Sequence, residues 1–233
     1  MSLIATAKAR LYNSMIGFEA LRIWSYICPD QALNDIDKFL REFLPFENGV
    51  YLEVGANNGI SQSNTILLER RFNWSGLLIE PVPRLFRQCR RARKRSTVVN
   101  FAITPPELDG KDVEIYDLGL MSLVNSFDWH DGNKKSRLKN GTRFFGKEPS
   151  KETVTGHTLS SLIDKYETRE IDLLSLDIEG YEVEALRGLD MTRHKPKLIL
   201  IETVEIVLVA EILNEHYVCI GNLTHHDYLF QRK

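Results

Sequence analysis

The stretch Glu53-Val54-Gly55-Ala56-Asn57-Asn58-Gly59, entered from the apolar run Val50-Tyr51-Leu52 and followed by a helical pattern, constrains this chain more than any other. It describes a strand running into a glycine turn. Glycine adopts positive φ and lets a ligand approach the backbone with no Cβ in the way, so Gly55 and Gly59 suit a tight turn at the carboxyl end of a strand. The spacing also selects among ligands. A dinucleotide turn wants G-x-G-x-x-G with the pyrophosphate on the helix N-terminus; here Asn57 replaces the middle glycine and the acid Glu53 precedes the turn. That departure disfavours a nicotinamide dinucleotide.

An acid at the strand end can receive a cationic ligand group, as the amino group of S-adenosyl-L-methionine (SAM) requires. The next apolar run, Ser75-Gly76-Leu77-Leu78-Ile79-Glu80, also ends in an acid and is followed at once by Pro81-Val82-Pro83, so the chain must turn there. In doubly wound folds an acid at the end of the second strand, about 20 residues beyond the glycine turn, accepts hydrogen bonds from ribose hydroxyls. Glu80 fits that position. The alternation of short apolar runs with helical patterns predicts an α/β fold, a mostly parallel sheet with helices on both faces.

Taken together, Glu53 to Gly59, the Ser61-x-Ser63-Asn64-Thr65 helix start, Trp74-Ser75-Gly76, Ile79-Glu80-Pro81 and Ser175-Leu176-Asp177-Ile178-Glu179-Gly180-Tyr181-Glu182 resemble the FkbM family of SAM-dependent methyltransferases. The likeness runs from about Val50 to the C-terminus in the right order. It implies a class I methyltransferase (Rossmann-like) fold with a seven-stranded, mostly parallel sheet whose last strand is antiparallel. It implies SAM as cofactor and O-methylation of a hydroxyl on a sugar, glycan or polyketide-like small molecule. The acceptor itself is not fixed. In this reading Gly55, Asn57 and Gly59 form the cofactor loop with Ser63 and Pro81 beside it. Glu53 reaches the amino end, Glu80 grips the ribose, and Asn100 to Ala102 lie near the adenine.

The 233 residues, 43% hydrophobic and 27% charged, suit one sizeable core. We expect an N-terminal helical extension over 1–45 and a methyltransferase domain over 46–233. A formal net charge of −2 gives no global reason to expect nucleic acid. Cys28, Cys89 and Cys219 are odd in number and widely spaced, which suggests neither a disulfide framework nor a metal knuckle; a reducing cytoplasm is the expected setting. No apolar run reaches the ~18 to 20 residues of a transmembrane helix.

Residues Ile4 to Ile27 place apolar residues at helical spacing, and this extra helix is a candidate for capping the site, forming a homo-oligomer, touching a membrane or packing on its own domain. Gln31 to Leu44 reads as a second helix, ended by Pro45. Ser61 or Ser63 is expected to cap a helix through Arg71 that faces the cofactor. Pro83 to Lys94, rich in arginine, reads as a solvated helix face, with RNA phosphates as the alternative. Thr97 to Phe101 reads as the third strand. The segment from Asn125 to Glu152 is the least regular, and its Trp129 and His130 are candidates for stacking on an acceptor sugar.

Ile171 to Asp177 is an apolar strand ending in an acid, so Asp177 should join Glu53 and Glu80 at one sheet edge, where ligands of open α/β sheets bind. Asp177 is therefore both a cofactor-site residue and a candidate general base for the acceptor hydroxyl. Glu202, closing the strand Leu198 to Glu202, is a second candidate, and Glu179 is expected to satisfy backbone donors in the following helical turn. His157, just before a helix, is a third catalytic candidate; His225 and His226, in the turn between the final strands, rank below it. No metal is expected, although Asp177 and Glu202 are the pair that would hold a divalent cation. The rival readings are a nicotinamide oxidoreductase, an RNA methyltransferase and a catalytically silent SAM-binding module.

Overall fold

A computed structural model describes residues 15–117, 123–124, 150–167 and 169–233. The expected sheet is present. Strands β1 (Val50–Val54), β2 (Ser75–Ile79), β3 (Thr97–Val99), β8 (Leu173–Leu176), β9 (Leu198–Glu202), β10 (Tyr217–Asn222) and β11 (Asp227–Arg232) lie in the order β10-β11-β9-β8-β1-β2-β3. Pairings from β3 through β9 are parallel, and only β11 runs antiparallel to its neighbours β9 and β10. Such a sheet needs cover on both faces, and the period-2 alternation of its side chains provides two apolar surfaces. Val50, Leu52 and Val54 pack with helices α5 (Leu159–Tyr166), α6 (Glu182–Arg187) and α7 (Ile206–Leu213). Tyr51, Leu78 and Leu173 face the other way, towards α2 (Ile36–Phe43), α3 (Ile66–Arg71) and α4 (Pro83–Ala92).

The sequence pattern did not disclose a second, smaller sheet, built from β4 (Ala102–Ile103), β7 (Ser150–His157), β5 (Asp112–Asp117) and β6 (Leu123–Val124) in that order. Its Ala102, Val113, Ile115 and Val154 pack on Val82 and Leu85 at the start of α4. The run read as one strand over Thr97 to Phe101 is shortened to β3 in the large sheet, and β4, just beyond it, pairs with β7. Trp129 and His130 lie outside the described residues, as does the first part of the run Ile4 to Ile27 expected to form the N-terminal helix.

The described part of that helix, α1 (Met15–Ile27), is packed on the domain: Phe18 and Leu21 are buried against Ile60, Ile66 and Ala92. The helix expected over Gln31 to Leu44 is broken. Asn34 (φ 54°) and Asp35 (φ 57°) are left-handed, a conformation that Asn and Asp tolerate better than most residues, and α2 begins only at Ile36. Among the described residues no helix is long and apolar enough to cross a membrane.

Candidate active site

The carboxyl ends of β1, β2, β8 and β9 open into one cavity of about 660 Å³, a size suited to a cofactor with part of a second ligand. Glu53, Gly55, Asn57, Ser63, Glu80, Pro81, Ala102, Asp177 and Glu202 all line it, so the structure brings together most of the residues singled out from the sequence. Gly55 has to be glycine. Its φ is +82°, and a Cβ there would lie 1.9 Å from the Asp177 carbonyl oxygen, which ties the first loop to the β8 end. Asn57 follows with φ 48°, and its backbone N–H donates to Glu80 Oε2 at 2.7 Å.

Glu80 thus organises two loops. Its Oε1 accepts from the Val82 N–H at 2.8 Å, while Asn100 Nδ2 donates to the carbonyls of Glu80 and Pro81, both at 2.8 Å. Burial raises the Glu80 carboxyl to a pKa of about 7 against the opposing pull of those two N–H groups. Asn100 consequently sits behind the cavity wall, and its neighbours Phe101, Ala102 and Ile103, with Ile115 of the small sheet, form an apolar surface of the kind a purine ring needs.

Glu53 is engaged on its inner side. Its carboxylate accepts from Ser63 Oγ (2.9 Å), Thr65 Oγ1 (2.5 Å), the Asn64 N–H (3.2 Å) and Arg93 Nη1 (3.3 Å). The Arg93 side chain is fully buried and also donates to Glu69 at 3.0 Å and to Tyr51 Oη at 2.7 Å. Arg93 therefore leaves the arginine-rich surface to which its sequence neighbours belong. Gly59 belongs to this network and does not line the cavity; a Cβ there would meet Cys89 Sγ at 2.8 Å and Arg93 Cγ at 2.9 Å. The expected helix start at Ser61 or Ser63 moves to Ile66. Ser63 Oγ still accepts from the Ile66 N–H at 3.2 Å, but that helix end faces Glu53.

On the β8 side of the glycine loop, Asp177 is half-buried, and burial with the nearby charges of Glu202, Glu179, Glu182 and Asp227 pushes its carboxyl well above the usual range. The backbone donors before α6 are met by Glu182, whose Oε1 accepts from Ile178 N–H (3.2 Å) and Gly180 N–H (2.8 Å), and not by Glu179 as the sequence suggested. Glu179 instead has φ 58° and lines the cavity. Among the described residues, the lining contains no Lys or Arg, and no three His, Cys, Asp or Glu side chains form a metal-binding group.

The model of the methyltransferase FkbM domain matches residues 53–216, most of the chain. This chain belongs to the FkbM methyltransferase family. No curated protein matches it. Among solved structures, this FkbM-family chain is similar to a SAM-dependent methyltransferase from Aquifex aeolicus, at 10% identity over 85% of this chain and 88% of that one with a TM-score of 0.45. It is also similar to a TehB-like SAM-dependent methyltransferase from Corynebacterium glutamicum, at 10% identity over the same shares with a TM-score of 0.43.

Two histidine expectations are reversed in the FkbM-family chain. His157 does not line the cavity: its Nδ1 is 3.1 Å from Asp109 Oδ1, and its ring meets Phe101 edge-on at 4.7 Å. The same Asp109 accepts from the Thr158 N–H and from Ser161 Oγ, so His157 belongs to the cap of α5. His225 and His226 do line the cavity, carried there by the β10–β11 hairpin, and the His226 carbonyl accepts from the Thr203 N–H at 2.8 Å. Leu33 and Asn34 close another side, delivered by the left-handed break before α2. The turn signal at Asn34-Asp35 was visible in the sequence; the return of the hairpin to this edge was not.

Proposed function

We propose that this methyltransferase transfers a methyl group from SAM to a hydroxyl oxygen of a sugar, glycan or polyketide-like small molecule. The observation that carries the reading is one cavity with chemically different sides about the β1 glycine loop: Glu80 and an apolar wall on the β2 side, and Asp177, Glu202, His225 and His226 on the β8–β9 side. The residues fit SAM better than a dinucleotide, because Asn57 replaces the middle glycine and the helix after the loop begins only at Ile66 with its end capped by Ser63, which leaves no free helix N-terminus for a pyrophosphate. When bound, the cofactor supplies an electrophilic methyl on a sulfonium.

In this reading Gly55, Asn57, Ser63 and Pro81 shape the cofactor seat, Glu80 holds the ribose, and Ala102 with its neighbours faces the adenine. Glu53, whose carboxylate is taken up by Ser63, Asn64, Thr65 and Arg93, holds the loop from within and acts on the amino end through its charge. Asp177 is the candidate base: burial raises its proton affinity well above that of an ordinary carboxylate, which strengthens the ionised form as a proton acceptor, and Glu202 adds to this by like-charge repulsion. No covalent enzyme intermediate is required, so catalysis rests mainly on holding donor and acceptor in line. Arginine-led RNA recognition has less support, since Arg93 is buried, Arg84 lies 3.4 Å from Asp117 and Arg91 lies 3.1 Å from Glu19.

The test is transfer of radiolabelled methyl from SAM to a panel of neutral sugars, glycans and hydroxylated macrolides, with NAD binding as a cofactor control. Alkali-stable label on a hydroxyl supports the reading. Label only on nitrogen or on RNA, or binding of NAD in place of SAM, overturns it.

A further inference from the structure

Helix α1 is apolar on two opposite faces. Phe18, Leu21 and Ser25 are buried in the domain, while Ile16 (82% exposed), Ile23 (60%), Trp24 (51%) and Ile27 (62%) form a second stripe at spacings of seven, eight and eleven residues from Ile16. Helical geometry puts those positions on one side, and a surface helix ordinarily carries polar residues there. Tyr26, half exposed, borders the stripe under the guanidinium of Arg70, 3.7 Å from its ring centroid.

The neighbouring helix supplies charge. On α4, Arg87, Arg90 and Arg91 are exposed on one helical face, and Lys94, also exposed, lies just beyond the helix end. The two helices are joined beneath through Phe18, Leu21 and Ala92. Arg91 lies 3.1 Å from Glu19, which stands between Ile16 and Ile23 on α1. Arg71, also exposed, donates to the Ile27 carbonyl at 2.9 Å. Apolar stripe and basic face are thus contiguous parts of one surface.

We propose that this α1–α4 surface docks the protein on an anionic lipid membrane. Isoleucine and tryptophan side chains gain by entering the headgroup boundary, and arginines beside them gain from anionic phosphates; neither half alone makes a peripheral anchor. Single-stranded RNA would match the cations but leave the aliphatic stripe unused. A second copy would match the stripe, but a two-fold contact sets a patch against itself and brings like-charged α4 faces together.

The experiment is co-sedimentation of the full chain with phosphatidylcholine vesicles with and without phosphatidylglycerol, at low and high salt. We expect sedimentation with the anionic vesicles only, weakened by salt. Binding should fall at least tenfold in Ile23→Ser/Trp24→Ser/Ile27→Ser and about fivefold for each of Arg87→Gln and Arg90→Gln. All of these residues are exposed, and unchanged binding of S-adenosylhomocysteine by the variants confirms that they fold. Failure to sediment with any vesicle overturns the proposal. So does vesicle binding that ignores lipid charge, concentration-dependent dimerisation abolished by the triple variant with no vesicle binding, or retention of single-stranded RNA alone.

Discussion

Glu80 and Arg93 show how single buried charges set the conditions of this site. Glu80 is 4% exposed, and its burial raises the carboxyl from 4.5 to about 7. A ribose diol donates best to the ionised form, so affinity for S-adenosylhomocysteine should rise about tenfold between pH 6 and pH 8. Calorimetric titration should find that dependence flattened in Glu80→Gln, together with a loss of roughly 1.5 to 3 kcal/mol in binding at pH 8 in Glu80→Ala. The same shift acts on stability. The folded chain holds this proton more tightly than the unfolded one, so the contribution is full below pH 4.5 and is lost as pH rises through about 7. Arg93 is the counterpart. With its side chain fully buried between Glu53 and Glu69, its replacement strands two carboxylates, and Arg93→Met should cost about 3 to 5 kcal/mol in urea unfolding. A loss below 1 kcal/mol would show that water reaches the network.

At the scale of elements, the acid-terminated strands were legible because the residues that end them carry both a turn and a charge in a fixed order. The helix over Gln31 to Leu44 was misread because apolar spacing outweighed the turn signal in Asn34-Asp35. That break has a use: it aims Leu33 and Asn34 into the cavity, where a continued helix would not place them. Asn34→Gly should keep cofactor affinity, since glycine accepts φ 54° without strain, whereas a β-branched Asn34→Val should cost about 1 to 3 kcal/mol. Thermal unfolding and S-adenosylhomocysteine titration of both variants check this; equal stability would mean the turn reforms around any residue. The arginine run was hard to read for a related reason. A helix ends at Ala92, so Arg93 leaves the surface face of its neighbours, and composition cannot report where a periodicity stops.

Across the whole molecule, chain topology decides which candidates meet. Parallel strands deliver Glu53, Glu80, Asp177 and Glu202 to one edge, and the single antiparallel strand β11 makes the β10–β11 turn return there with His225 and His226. His157, close to the site in sequence logic, is diverted because β7, which carries it, belongs to the small sheet. This arrangement separates cofactor seat from acceptor chemistry, and the separation is measurable. Asp177→Asn keeps size and shape while removing the base, so methyl transfer should fall by about 10² to 10⁴ with S-adenosylhomocysteine affinity nearly unchanged. The remaining rate should lose the dependence on pH that the raised Asp177 carboxyl imposes, a rise that begins well above the ordinary carboxylate range. Glu80→Ala should do the reverse, weakening the cofactor while preserving turnover at saturation. If Asp177→Asn instead abolishes cofactor binding and leaves saturated turnover intact, Asp177 belongs to the cofactor seat, and the proton passes to Glu202 or to the histidines of the hairpin.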